Sequence, residues 1–131
     1  MTAVPKFLSL NEVLLIHQDQ IARYAGAPGI RDIDLLKSAL GIPPATYGGE
    51  FLHTDIFEMA ASYLFHIVKN HPFVDGNKRT GAVAALVFLD LNGFDFLASE
   101  DDFAEVVLAI AGGEMSKAQL AVFFRKWSKP A

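Results

Sequence analysis

Asn77-Lys-Arg-Thr-Gly-Ala-Val-Ala-Ala-Leu-Val-Phe-Leu-Asp-Leu-Asn92 decides how this chain folds. From Ala82 to Leu89 every residue is apolar. A helix over this stretch therefore has no polar face and belongs at the centre of a bundle. Asp90 interrupts the run, which is far short of the roughly 20 apolar residues a bilayer requires. Gly93 follows at the position where a glycine closes a helix.

Upstream, Thr54 and Asp55 start a second apolar helix that reaches Asn70. Ile56, Phe57, Ala60, Ala61, Leu64, Phe65, Ile67 and Val68 cover most of its circumference. Ser9-Leu-Asn-Glu12 has capping-box spacing and opens a helix through Tyr24. Gly26-Ala-Pro-Gly29 ends that helix, and Asp32 caps a short one to about Leu40. Gly41 to Gly49 is the longest irregular stretch, read either as a surface connection or as a mobile, substrate-facing segment. Downstream, Ser99 heads a helix to about Ala111, and the capping box Ser116-Lys-Ala-Gln119 heads the last, to Trp127. Strand signal is confined to Phe94-Asp-Phe96. The expected fold is all-α: one domain over residues 1–131 (core about 10–125), with about six helices around a buried helix at about Asn77–Asn92.

Composition narrows the function. Apolar residues make up 52% and charged residues 20% of the chain, a balance that builds a core and argues against disorder. The net charge is -4, which leaves no broad basic face for nucleic acid. Without cysteine, disulfides, cysteine-ligated zinc and a thiol nucleophile are excluded. Met1 to Lys6 lacks a charged start followed by an apolar leader, so the expected setting is the cytoplasm, away from membranes.

Chemistry concentrates between the two most apolar helices, in His71-Pro-Phe-Val-Asp-Gly-Asn-Lys-Arg-Thr-Gly81. Pro72 removes an amide and ends the helix at His71. Phe73 is the one large apolar side chain available to anchor the loop. Gly76 lets a ligand approach the backbone, and the amides of Asn77, Lys78 and Arg79 open the next helix. Free amides at the positive end of a helix dipole form an anion site. Lys78 and Arg79 add charge to it, and Arg79 carries a fork that fits phosphate. Imidazole exchanges a proton near neutral pH, which makes His71 a candidate base. Asp75 is a candidate Mg²⁺ ligand beside phosphate oxygens, and Asn77 a donor to a phosphoryl oxygen. Positioning plus charge neutralisation is what phosphoryl transfer asks of a protein.

Each residue also has an ordinary reading. His71 could bond a carbonyl at a helix end, Asp75 could cap the next helix, and Lys78 and Arg79 could be solvated charges. Cations in a first turn are disfavoured by the dipole, however, and such local conflicts gather at functional sites. His17, His53 and His66 are scattered, and no HExxH, G-x-S-x-G or P-loop is present. Phe123, Phe124 and Trp127 read as core.

His71-Pro-Phe-Val-Asp-Gly-Asn-Lys-Arg79 resembles the signature of the Fic/Doc family, in its Doc (death-on-curing) branch. Gly26-Ala-Pro-Gly-Ile-Arg-Asp32, Leu35-Leu36-Lys-Ser-Ala-Leu40, Phe88-Leu89 and Leu91-Asn92-Gly93 extend the likeness over roughly Leu10 to Arg125. The resemblance implies an all-α fold, with His71 as catalytic base and Asp75 as the magnesium-associated acid. It makes Gly76, Asn77, Lys78 and Arg79 the phosphate-binding turn and Phe73 a structural anchor. Fic proteins that transfer AMP have glycine where this chain has Lys78, and a further arginine where it has Ala82; both departures match Doc. The resemblance therefore implies transfer of the terminal phosphate of ATP to a Ser or Thr of elongation factor Tu, and neutralisation by a Phd-type antitoxin. It further implies that Ala45–Phe51, and so Thr46, Tyr47, Gly48, Gly49, Glu50 and Phe51, borders the site and helps dock the target. Thr54 to Glu58 is a near match to the inhibitory pattern of many Fic proteins, but Met59 follows it and it falls inside a core helix. Two alternatives stay open: transfer of a nucleotide to a protein, and a non-catalytic binding module.

Overall fold

The computed structural model describes residues 4–131; Met1–Ala3, part of the segment read as lacking a leader, lie outside the described residues. Six helices account for most of what is described: α1 (Leu10–Tyr24), α2 (Ile33–Gly41), α3 (Ile56–Asn70), α4 (Asn77–Leu91), α5 (Glu100–Ala111) and α6 (Lys117–Trp127). Two small antiparallel pairs accompany them. β1 (Thr46–Tyr47) pairs with β2 (Glu50–Phe51), and β3 (Phe94–Phe96) with β4 (Ser128–Pro130). No described helix is long and apolar enough to cross a membrane.

The helix starts are set by local chemistry. Ser9 and Glu12 close a reciprocal capping box on α1, and Ser116 and Gln119 close another on α6. Asp32, Asp55 and Ser99 accept first-turn amides of α2, α3 and α5. Each such cap stabilises its helix by about 1 kcal/mol. α4 is the exception. Its N-cap is Gly76, and among the described residues no side chain accepts from its first turn.

The centre of the bundle is a pair of helices. α3 buries Met59 through Leu64 without a break and packs on α2, α4, α5 and α6. α4 packs on α1, α3, α5 and β3, burying Thr80, Gly81, Ala84, Ala85, Phe88 and Leu89. Ala82, Val83, Leu86 and Val87 are only half-buried. An all-apolar stretch was expected to be enclosed on every side, yet α3 lies deeper because it has helices on both flanks. Periodicity reports what a face tolerates, while the number of neighbours is a property of the assembled bundle.

Two extended elements depart from the sequence reading. The Gly41–Gly49 stretch, read as irregular, folds at its end into a hairpin with Thr46 opposite Phe51 and Tyr47 opposite Glu50. Gly48 and Gly49 both have positive φ, which a two-residue type I′ turn demands. The strand expected at Phe94–Phe96 is present, and its partner is Ser128–Pro130, a segment with no strand pattern of its own. Pro130 sits at the end of this edge pair, where a missing amide is tolerated.

α6 is tied to α3 and to the segment before it by a polar cluster. Lys117 Nζ donates to His66 Nε2 at 2.9 Å and to His53 Nε2 at 3.2 Å. Burial, reinforced by the Lys117 charge and by the neighbouring His53, pushes His66 down to about 4; burial and Lys117 also lower His53, against an opposing pull from Glu58. Both imidazoles therefore bind protons less well in the folded chain than an ordinary imidazole, at 6.5, does. Between those pH values the unfolded chain takes up more protons, so the stability held above about pH 6.5 declines as the pH falls toward about 4. The urea-unfolding midpoint should fall on acidification across this window, and fall less in His66→Gln, whose side-chain oxygen still accepts from Lys117. Parallel declines in the two proteins would show that His66 is not the source.

Candidate functional site

α3 ends in a left-handed residue. His71 has φ 49° and ψ 54°, and its N–H donates to the Ile67 carbonyl. A non-glycine residue in this region costs about 1–2 kcal/mol, so the surroundings must hold it there. They do so through the α1–α2 loop. Arg31 donates from Nε to the His71 carbonyl at 2.7 Å and from a terminal nitrogen to the Asn70 carbonyl at 3.0 Å, covering the C-terminal end of α3. The Pro72 carbonyl accepts from the amides of Arg31 and Asp32, and the Val74 amide donates to Gly29. Phe73, fully buried, fixes the middle of the loop in the core.

The turn into α4 leaves its first amides open. Gly76 is left-handed, with φ 78°, and the first α4 amide with an intrahelical partner is that of Thr80, bonded to the Gly76 carbonyl. Those of Asn77, Lys78 and Arg79 remain open at the positive end of the helix. His71, Asp75, Gly76, Asn77 and Lys78 line a groove of about 280 Å³ with Val68, Val74 and Ala111. Arg79 leans away from it, its guanidinium 4.3 Å from the ring centroid of Tyr24 at the end of α1. The six hairpin residues Thr46–Phe51 are absent from the groove lining; Phe51 packs on Phe7 instead.

Asp75 is held as a carboxylate. Its Oδ2 accepts from the Ala27 amide at 3.0 Å and its Oδ1 from the Gly76 amide at 2.8 Å. These two bonds lower its pKa, with Arg79 and His17 adding to the shift and desolvation opposing it. Gly26 is required beside it, since a Cβ there would lie 2.8 Å from Asp75 Oδ2.

Asn77 does other work than the sequence suggested. Its side chain is buried: Oδ1 accepts from the Phe73 amide at 2.9 Å, and Nδ2 donates to the Phe73 carbonyl at 3.0 Å. These bonds fix which end of the amide is nitrogen. The second Nδ2 hydrogen points to His71 Nδ1, 3.1 Å away. The side chain has no hydrogen left for a phosphoryl oxygen, so Asn77 offers an anion only its main-chain amide. It also sets the imidazole: with Nδ1 accepting, neutral His71 carries its proton on Nε2.

The structure thus brings His71, Asp75, Gly76, Asn77 and Lys78 into one groove and leaves Arg79 out of its lining. Sequence reasoning missed the residues that arrange them. Arg31 and Ala27 entered only through a stretch of family likeness, and His17 looked like one of several scattered histidines. The ring of His17 stacks on Phe73 with centroids 3.8 Å apart, and its Nε2 donates to the Asp75 carbonyl at 2.9 Å. Nothing in the spacing of α1 announces a contact to a residue 58 positions away.

Fold and site together define a small helical protein with an uncapped helix start beside a histidine. The model of the Fic/DOC family matches residues 7–89, and the chain belongs to that family. The chain is 34% identical over 121 residues to the protein kinase doc of Escherichia phage P1, across 92% of this chain and 94% of the relative. It is 36% identical over 106 residues to Toxin Doc of Mycolicibacterium smegmatis (strain ATCC 700084 / mc(2)155), across 76% of this chain and 82% of that protein.

The hydrogen bond from Asn77 makes a spectroscopic prediction. Long-range ¹⁵N–¹H correlation should show neutral His71 as the Nε2–H tautomer. A predominant Nδ1–H form would mean that the contact with Asn77 is not kept in solution.

Proposed function

We propose that the chain is a Doc-like toxin of a toxin–antitoxin module. It transfers the terminal phosphate of ATP to a Ser or Thr hydroxyl of a protein target in the cytoplasm, blocking translation, and the target is elongation factor Tu. The observation that carries this reading is the start of α4. Asn77 and the exposed Lys78, with their open amides, line one groove with His71, so an anion held there would stand beside a proton acceptor. The names of the two relatives, a protein kinase and a toxin, support the same reading.

In this reaction the hydroxyl oxygen attacks the terminal phosphorus, the bond from that phosphorus to the bridging oxygen breaks, and ADP leaves. The amides of Asn77, Lys78 and Arg79 and the Lys78 ammonium hold phosphate oxygens and offset their charge. The hydroxyl proton goes to His71 at Nδ1, the lone pair that Asn77 engages at rest. The imidazole is exposed and turns off Asn77 to meet the target. Asp75 suits Mg²⁺: it is an exposed, ionised carboxylate whose oxygens each take one amide hydrogen and keep lone pairs free. Bound there against phosphate oxygens, the ion would supply further charge neutralisation.

The hairpin Thr46–Phe51, with Tyr47 83% exposed at its turn, is the proposed element for target docking. A Phd-type antitoxin is the proposed inhibitor. An internal inhibitor in the Thr54–Glu58 segment is disfavoured by position. Thr54, just before α3, donates to Glu58 in its first turn, and Glu58 is about 20 Å of helix from His71 at the other end.

Intact-mass spectrometry of elongation factor Tu incubated with the protein, ATP and Mg²⁺ tests the proposal. A gain on the order of 80 Da, absent with His71→Ala, is the expected result. A gain of roughly 330 Da would mean transfer of AMP and would overturn the kinase reading. Lys78→Gly should lower phosphate transfer at least tenfold, on the order of one lost charge-assisted contact. Unchanged activity in that variant would remove Lys78 from the phosphate site.

A further inference from the structure

We infer that His17, on α1 and outside the signature loop, is a positioning residue for the phosphate-binding turn. This rests on the reading of that turn as a nucleotide phosphate site. The Asp75 carbonyl can only accept, so the 2.9 Å contact with His17 Nε2 places a proton on that nitrogen. The ring is 6% exposed and lies nearly parallel to Phe73, at 6°. It therefore has little freedom to leave its partner.

The bond falls on the peptide that sets the cradle. Within the Asp75–Gly76 unit, His17 holds the carbonyl and the Asp75 carboxylate holds the N–H at 2.8 Å. Both polar ends of one peptide plane are pinned, and the open amides of Asn77, Lys78 and Arg79 follow directly. Gly76 is left-handed at this point, a conformation that glycine leaves easily for others. A Cβ on Gly76 would lie 3.7 Å from two atoms of the His17 ring, so the ring also walls the turn. His17 thus acts through Asp75 and Gly76, giving the three amides one orientation before phosphate arrives. That is the preorganisation an anion cradle needs.

Two substitutions separate the hydrogen bond from the packing. His17→Phe keeps a ring against Phe73 and loses the donor. His17→Gln loses the ring and keeps an N–H near the Nε2 position. Calorimetric titration of the full chain with ATP and Mg²⁺ should show Kd raised about tenfold in His17→Phe, and restored to within about threefold of wild type in His17→Gln. The melting temperature is followed in parallel. A His17→Phe protein that binds ATP as wild type does, whatever its melting temperature, overturns the inference. So does equal weakening in both variants, which would assign the effect to packing. If wild-type protein itself binds no ATP, the nucleotide reading fails and takes this one with it. Should His17→Phe not fold, His17→Gln is compared with His17→Leu, and long-range ¹⁵N–¹H correlation on wild type must show His17 as Nε2–H with and without ATP; a change of tautomer or a shift to Nδ1–H overturns the inference.

Discussion

The Pro72 carbonyl accepts from two successive amides, those of Arg31 at 2.7 Å and Asp32 at 3.0 Å, and the site depends on that seam. A loop between two buried helices has to satisfy its polar backbone groups without a ladder of its own. Here a second loop supplies the partners. Gly29 takes the Val74 amide, Arg31 covers the carbonyls of Asn70 and His71, and Ala27 reaches the Asp75 carboxylate. His71 stays in a conformation it would not choose alone because its own amide and carbonyl are both engaged.

α1 extends the same support to the other side of the loop. Phe73 is clamped between the core and the His17 ring, and Asn77 is bonded three ways within the loop. The consequence is an imidazole, a carboxylate and an open helix start held in one groove by residues of two separate helices and their connections. Groups that must act together within a few tenths of an ångström gain from being fixed by backbone bonds, since main-chain positions move less than side-chain rotamers.

Stability and function make opposite demands on helix starts. Among the described residues, five helices carry a side-chain cap and α4 carries none. A serine at position 76 would favour the helix over glycine by only roughly a few tenths of a kcal/mol. It would also occupy amides that are otherwise open to an anion, and would strain a left-handed backbone. Placing Lys78 and Arg79 in the same first turn adds an unfavourable term that an incoming anion reverses. The deeply buried α3, packed on four other helices, makes such a weakness tolerable.

Much of this was legible in the chain itself. Caps are local, so Ser9, Asp32, Ser99 and Ser116 announced their helices within a residue. The apolar runs of α3 and α4 declared buried helices, and the ordered loop from His71 to Arg79 declared the family. The Gly48–Gly49 turn is also written in the chain, but flanking strands of two residues carry no alternation by which to recognise a hairpin. Tertiary structure alone decided the rest. Burial is set by how many neighbours surround a helix, which put α3 deeper than α4. Ser128–Pro130 became a strand because Phe94–Phe96 offered an edge. The roles of Asn77, Arg31 and His17 came from contacts between residues brought together by folding, and hydrogen bonds across 40 or 58 positions leave no periodic trace in a sequence.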